Sequence, residues 1–342
     1  MIIRPSLPSP EEMRSFADFC GLAPDIATDI LSDYDSLLQD VELLAYYNFL
    51  KTVMFVDEKY TDVDSRLNFE ERPERHARIS NPARFQLLCA LSAHEEAMAN
   101  FKEAGFPFPA FQEAAADLGI HARQYHDNFD ENGLSWNSLC WWGNLVRGTV
   151  IRQGRLEFNT SMAFFENIGV WKNRKTGTFE FSNDGESPGD DWDGVLKKGD
   201  PVIYLHFPAG TPLSVESFAE SLPRITAFFK EYIPSYKYRA LVSSSWLFDE
   251  QFQTLLNPDS NLVRLQKFLR IRPSTLTDCD TIERVFGHKG LRDGINTVPH
   301  VTSMQKAFAA FLNRGGTFHS GVIFLFPEEL EKYLNASKAI KA

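Results

Sequence analysis

The stretch from Asp200 to Leu256 restricts the fold more than any other part of the sequence. An apolar run, Val202-Ile203-Tyr204-Leu205-His206-Phe207, breaks at Pro208-Ala209-Gly210. A helical pattern entered near Ser214 follows, and a second run, Arg239-Ala240-Leu241-Val242-Ser243, ends in Ser244-Ser245-Trp246. Strand, crossover helix and strand make a βαβ unit, whose handedness places the helix on one face of the sheet. The loop leaving the first strand points at the helix N-terminus, where unpaired amides and the helix dipole favour an anion.

The flanking patterns differ on the two sides of this unit. Before Arg147-Gly148 the periodicity is helical. Ser9-Pro10-Glu11-Glu12 has the form of a capping box, and Asn81-Pro82 opens a helical pattern that runs to about Gly105. Helical patterns also cover Pro109 to Tyr125 and the Trp136 to Leu145 segment, and a charged stretch, Asp57 to Arg78, interrupts the series. After Gly148, Arg155-Leu156-Glu157-Phe158 alternates as a half-buried strand does, and Phe164 to Trp171 reads as another. Thr178 to Phe181 pairs back across a turn at Asn173 to Gly177, and Asn183 to Gly199 reads as an acidic surface loop. Helices are expected at Phe248 to Leu256, Leu262 to Phe268 and, from a capping box at Thr302, through Leu312. A three-glycine loop covers Gly287 to Gly294; the last strand is Phe318 to Phe326, and Glu328 to Tyr333 closes as a helix. The fold class is therefore α+β: a helical domain over 1–148 and a mixed-sheet α/β domain over 149–342.

A chain of 342 residues exceeds the size at which one core usually stays single, which agrees with two domains. The 29 phenylalanines are expected to pack thick aromatic cores. A formal net charge of -11 repels phosphate backbones and acidic lipid, so nucleic-acid and membrane-surface binding are disfavoured. Cys20, Cys89, Cys140 and Cys279 lack metal or redox spacing and read as reduced thiols. With no apolar run near the ~18 residues of a spanning helix and no leader-like N-terminus, the expected location is the cytoplasm.

Several residues carry candidate chemistry. His206 ends an apolar strand, where an α/β sheet places its ligand crevice, and an imidazole there can take the proton of an attacking amine. The alternative is a buried histidine satisfied by backbone. Glu157 points away from the apolar face of its strand; it either lines the cleft, assisting that proton transfer, or covers a solvated face with Arg155. Ser243, Ser244 and Ser245 have no Gly-x-Ser-x-Gly context, and they read as hydroxyls that satisfy a strand end rather than as a nucleophile. Gly287 to Arg292 holds His288, Lys289 and Arg292, the best local anion patch in an acidic chain, or else a solvated loop. His94-Glu95-Glu96-Ala97-Met98 fails zinc spacing because Met98 occupies the second ligand position, and no metal site is expected.

Gly154-Arg155-Leu156-Glu157-Phe158, Leu205-His206-Phe207-Pro208-Ala209-Gly210, Phe228-Phe229, Ser245-Trp246-Leu247-Phe248-Asp249 and Ser260-Asn261-Leu262 together resemble a GNAT-like acyltransferase domain. More narrowly, the chain resembles a two-domain group of bacterial acyltransferase-like proteins, with a helical N-terminal domain before a divergent GNAT-like domain. The resemblance implies that the fourth strand, about Pro201 to Phe207, splays from its neighbour. Acyl-CoA, as co-substrate, would thread that gap past Phe207, with Gly210 and Ser214 beside its pyrophosphate and Lys289 and Arg292 as further anion contacts. The acceptor implied is a small-molecule amine or a peptide. Two departures stand out: Pro208 to Ser214 carries one glycine and two prolines where the family places a glycine-rich loop, and Phe248 to Leu256 lacks the usual tyrosine. The altered loop supports the alternative of a non-catalytic binding or scaffolding protein that keeps the sheet.

Overall fold

A computed structural model describes residues 7–55, 81–163, 169–182, 186–210, 212–277 and 280–341. The chain divides into two units, Met1–Arg152 and Gln153–Ala342.

The first unit is helical: α1 (Pro10–Phe19), α2 (Pro24–Leu31), α3 (Tyr34–Gln39), α4 (Val41–Phe55), α5 (Pro82–Leu91), α6 (His94–Glu103), α7 (Phe108–Phe129) and α8 (Trp136–Val146). The capping box forms at the start of α1, where the Glu12 N–H donates to Ser9 Oγ at 3.2 Å and the Ser9 N–H donates to Glu12 Oε2 at 2.7 Å. The apolar stripes meet in an aromatic core, with Trp142 buried and edge-on to Phe55 at 5.6 Å and Phe111 against Phe101 at 5.5 Å. Gly119 lets α7 cross the α1–α2 turn closely, because a Cβ there would fall 2.5 Å from the Cys20 carbonyl oxygen. Buried in the same core, Lys51 Nζ pairs with Glu96 Oε1 at 2.8 Å. The expected long helix after Asn81 is two helices, broken at Ser92 and Ala93. The charged stretch Asp57 to Arg78 lies outside the described residues.

A six-stranded mixed sheet begins at the boundary between the units, with β1 (Ile151–Gln153), and the second unit carries its other five strands. These are β2 (Leu156–Met162), β6 (Pro201–His206), β7 (Ala240–Ser245), β8 (Ile271–Thr277) and β9 (His319–Leu325), and the sheet order is β1-β2-β6-β7-β9-β8. The expected βαβ unit is present: β6 and β7 are parallel, joined by α9 (Val215–Tyr232), which Ser214 caps. One sheet face packs on α9, where Phe158 of β2 meets Phe228 and Phe229 at 5.7 and 5.3 Å. Part of the opposite face is covered by a second sheet of β3 (Gly169–Asn173), β4 (Phe179–Ser182) and β5 (Trp192–Leu196), in the order β4-β3-β5. There Phe179 stacks on Phe326 at 4.7 Å, and Val170 and Leu196 share a core with Val202, Val242 and Phe324.

Three local expectations are corrected. The acidic surface loop contains β5, which pairs with β3 because Trp192, Val195 and Leu196 supply an apolar edge that the charges around them mask in sequence. The three-glycine loop is largely helical: α12 (Asp280–Asp293) runs through it with one kink at Gly287 (φ 73°), and only Gly294 (φ 96°) ends it. Phe248 to Leu256 is a 3-10 turn at Trp246–Phe248 followed by the short α10 (Phe252–Leu255), so the expected helix is mostly turn. Two short helices complete the unit on the expected pattern, α11 (Asn261–Phe268) and α13 (Ser303–Leu312), the latter with its capping box between Thr302 and Gln305. The closing helix, α14 (Leu330–Lys341), runs past Tyr333.

Candidate active site at the β6–β7 fork

Side chains on a strand alternate between faces, and residues directly opposite on antiparallel neighbours share a face. The β2–β6 register sets Glu157 opposite His206 and Asn159 opposite Tyr204. The two residues expected to handle protons are therefore cross-strand partners. Glu157 is fully buried, which overturns the alternative of a carboxylate on a solvated face; Arg155 is nearly buried too.

On its other edge β6 pairs with β7 at Val202↔Ala240, Ile203↔Leu241 and Tyr204↔Val242. Among the described residues the ladder stops there, and Leu205 and His206 continue without rungs to β7. Ser243 to Ser245 remain paired with β9 on the far side. The rungs between the two parallel strands thus end before the strands do, a fork in the pairing. Tyr204 bridges the mouth of the fork: its hydroxyl accepts from the Ser244 N–H at 2.8 Å and donates to the Ser244 carbonyl at 3.2 Å. A side chain supplies what the next rung of backbone would have supplied. Burial pushes the Tyr204 phenol above its ordinary range, so it stays protonated.

His206 sits half-buried beside this bridge, its ring centroid 4.9 Å from that of Tyr204. Its Nε2 lies 2.7 Å from Asn159 Oδ1. Burial disfavours the imidazolium and lowers the pKa to about 4. At neutral pH the ring is uncharged and has a lone pair with which to accept a proton.

The remaining expected residues are placed as follows. Phe207 lies parallel to Phe218 of α9 at 6.1 Å and edge-on to Phe248 at 5.3 Å, so it closes the core just past the end of β6. Gly210 takes a left-handed φ of 107° in the loop to α9. Ser214 is engaged in a reciprocal cap: the Ser217 N–H donates to Ser214 Oγ at 3.2 Å, and the Ser214 N–H donates to Ser217 Oγ at 3.0 Å. Lys289 and Arg292 lie on α12, whose Phe286 packs in a cluster with Trp246 and Leu247 at the exit of β7. Arg292 forms a bidentate pair with Asp293, both contacts at 2.8 Å, so the anion patch carries its own carboxylate. The serine cluster behaves as strand-end hydroxyls should: Ser243 is buried, and Ser245 Oγ accepts from the Leu247 N–H at 3.2 Å. Among the described residues no cluster of three or more His, Cys, Asp or Glu could hold a metal, and no helix is long and apolar enough to cross a membrane. Cys20, Cys89 and Cys140 are buried and not in disulfides, while Cys279 lies outside the described residues.

Sequence reading missed Asn159 and Tyr204 as members of the site. Both were within reach of the period-two rule, because Asn159 follows Glu157 by two and Tyr204 precedes His206 by two.

Solved structures with a similar fold cover nearly the whole chain. One is an acyltransferase mutant in complex with octanoyl-CoA, at 22% identity and a TM-score of 0.70, covering 94% of this chain and 89% of that one. A second is an acyltransferase in complex with decanoyl-CoA and teicoplanin, also at 22% identity, with a TM-score of 0.68 and coverage of 94% and 90%. A third, in complex with CoA and 10C-teicoplanin, has 22% identity, a TM-score of 0.67 and coverage of 94% and 89%. No curated protein matches the sequence. The family model described as the GNAT-like C-terminal domain matches residues 150–324. That match takes in the fork, both of its strands and the helix between them, and the chain belongs to the family of the GNAT-like C-terminal domain.

Proposed function

We propose that the protein is an acyl-CoA-dependent acyltransferase that moves a medium-length acyl group to an amine. The observation that carries this reading is the fork: the rungs between β6 and β7 end at Tyr204 and Val242, with His206 on the length of β6 beyond the last of them. An acyl-CoA tail laid along that edge would lie where no rung ties β6 to β7. The solved structures of similar fold hold octanoyl-CoA, decanoyl-CoA or CoA, which supports the choice of co-substrate. Two hold teicoplanin or 10C-teicoplanin, which supports a small-molecule or peptide acceptor.

In this reading Phe207, Gly210 and Ser214 line the path of the co-substrate, and Lys289 and Arg292 lie at its anionic end. The neutral His206 takes a proton from the acceptor amine as nitrogen bonds to the thioester carbon. Glu157, opposite on β2, steadies the charge that builds on the ring. The carbon–sulfur bond then breaks, and the departing thiolate takes that proton from His206, which returns the ring to its neutral form. Holding amine and thioester together at the fork makes the attack effectively intramolecular.

The competing reading is a scaffold that has lost acyl-CoA capture. The Ser214–Ser217 cap favours it, because those two amides at the helix entrance are already taken. Calorimetric titration with octanoyl-CoA and decanoyl-CoA decides between them. A transferase binds at least one, and ligand at 100 times Kd stabilises the fold by about 2.7 kcal/mol. Absence of heat and of stabilisation with both favours the scaffold.

A further inference from the structure

We infer that Asn159 is a positioning residue for His206: its side-chain amide holds the neutral imidazole as the Nε2–H tautomer, so that the proton-accepting lone pair lies on Nδ1. The inference rests on the acyl-transfer reading only for the use to which that lone pair is put; the tautomer stands on geometry alone.

Two contacts fix the arrangement. Asn159 Nδ2 donates to the Thr160 carbonyl at 2.8 Å, and this sets the rotation of the amide, since the reverse orientation would bring two oxygens together. The amide oxygen is therefore the atom that meets His206 Nε2, at 2.7 Å. An amide oxygen only accepts, so Nε2 must carry the hydrogen. A neutral imidazole has one N–H, and its lone pair is then on Nδ1. The chain of donors runs from imidazole to amide to backbone, anchored at a strand carbonyl that cannot rotate away. Other titratable groups share this face: Glu157, opposite His206 on β2, and Tyr204, two residues earlier on β6. Tyr204 directs its hydroxyl to Ser244. Glu157 is the competitor, because a carboxylate that accepted from Nδ1 would favour the opposite tautomer.

Nitrogen-15 NMR of the full chain with labelled histidine reads the tautomer directly. The His206 signals are assigned by their loss in His206→Gln, or in the wild type by through-space contact with the Tyr204 ring. At neutral pH the expected spectrum shows a protonated Nε2 and an unprotonated Nδ1. Asn159→Ala should move the tautomer ratio about fivefold toward Nδ1–H, the worth of one buried hydrogen bond. Asn159→Asp, which still accepts from Nε2 but sets a second oxygen against the Thr160 carbonyl, should restore the wild-type pattern only in part. With octanoyl-CoA and an amine acceptor, Asn159→Ala should lower turnover while leaving the Kd for octanoyl-CoA unchanged, and Asn159→Asp should recover part of the turnover. A protonated Nδ1 in the wild type, or an Asn159→Ala spectrum identical to wild type, overturns the tautomer. The expected tautomer shift with unaltered turnover overturns the positioning role. Full turnover in His206→Gln would instead remove the acid–base chemistry from His206 and leave the tautomer result standing.

Discussion

Replacing His206 by glutamine should make the protein less sensitive to acid, by an amount that follows from its surroundings. In the folded protein burial lowers the His206 pKa to about 4, against an ordinary value of 6.5. Between those two values the unfolded chain binds a proton that the folded chain does not. Stability therefore falls as pH falls through this window, is undiminished above about pH 6.5, and has lost its full share below about pH 4. A gap of about 2.5 pH units at about 1.4 kcal/mol each gives about 3 kcal/mol. The ring keeps some contact with solvent, which screens part of the penalty, so the measured loss should lie at or somewhat under that figure. Urea unfolding of wild type and His206→Gln, followed by tryptophan fluorescence from pH 7.5 down to 4, provides the comparison. Carboxylates common to both proteins cancel in the difference. The stability gap between the two should shift in favour of the variant by about 2–3 kcal/mol across the window. A gap that stays constant with pH would mean that His206 is solvated in the folded state, and with it would go the neutral base on which the proposed chemistry depends.

Other perturbations test other parts of the fold. Tyr204→Phe removes the hydroxyl that serves the Ser244 N–H and carbonyl, and should lower stability by about 1–3 kcal/mol in urea unfolding; an unchanged midpoint would mean that the bridge adds nothing. Gly321→Ala would set a Cβ 2.1 Å from the Phe248 carbonyl oxygen, forcing the turn after β7 away from β9 at a cost of about 1–3 kcal/mol or more. Normal expression and stability of that variant would contradict the close approach. Lys51→Ala should destabilise the helical unit by about 3–5 kcal/mol, since it strands the Glu96 carboxylate in the core, whereas Lys51→Met with Glu96→Leu should recover most of the loss. Circular dichroism melts of the two variants check the pair.

The legible part of the architecture came from local signals. The βαβ unit declared itself because two apolar runs flank a capped helical pattern, and Ser214 does cap α9. Glu157 and His206 were each visible as a polar residue on an apolar strand, but that they face one another is a matter of register between segments 49 positions apart. No local pattern encodes such a pairing. The burial of Glu157 was hidden for the same reason, since alternation tells which side a residue takes and not what covers that side. β8 was missed because Pro273 argues against a strand interior; it sits at the sheet edge, where a proline is tolerated. The helix through Gly287 to Asp293 was missed because three glycines and a basic run imitate a loop. Only Gly287 and Gly294 adopt left-handed backbone, and Gly290 packs tightly against Phe286.

The two rims of the large sheet have a consequence for how the protein behaves when crowded. An exposed, regular rim is a template on which another chain can polymerise. Here one rim is β1, only three residues long, and the other is β8, broken by Pro273 and by an irregularity before Thr277. Neither presents the long even row of donors and acceptors that fibril growth requires. The large sheet should therefore not seed strand-by-strand aggregation in concentrated solution, even though its strands are rich in β-branched and aromatic side chains.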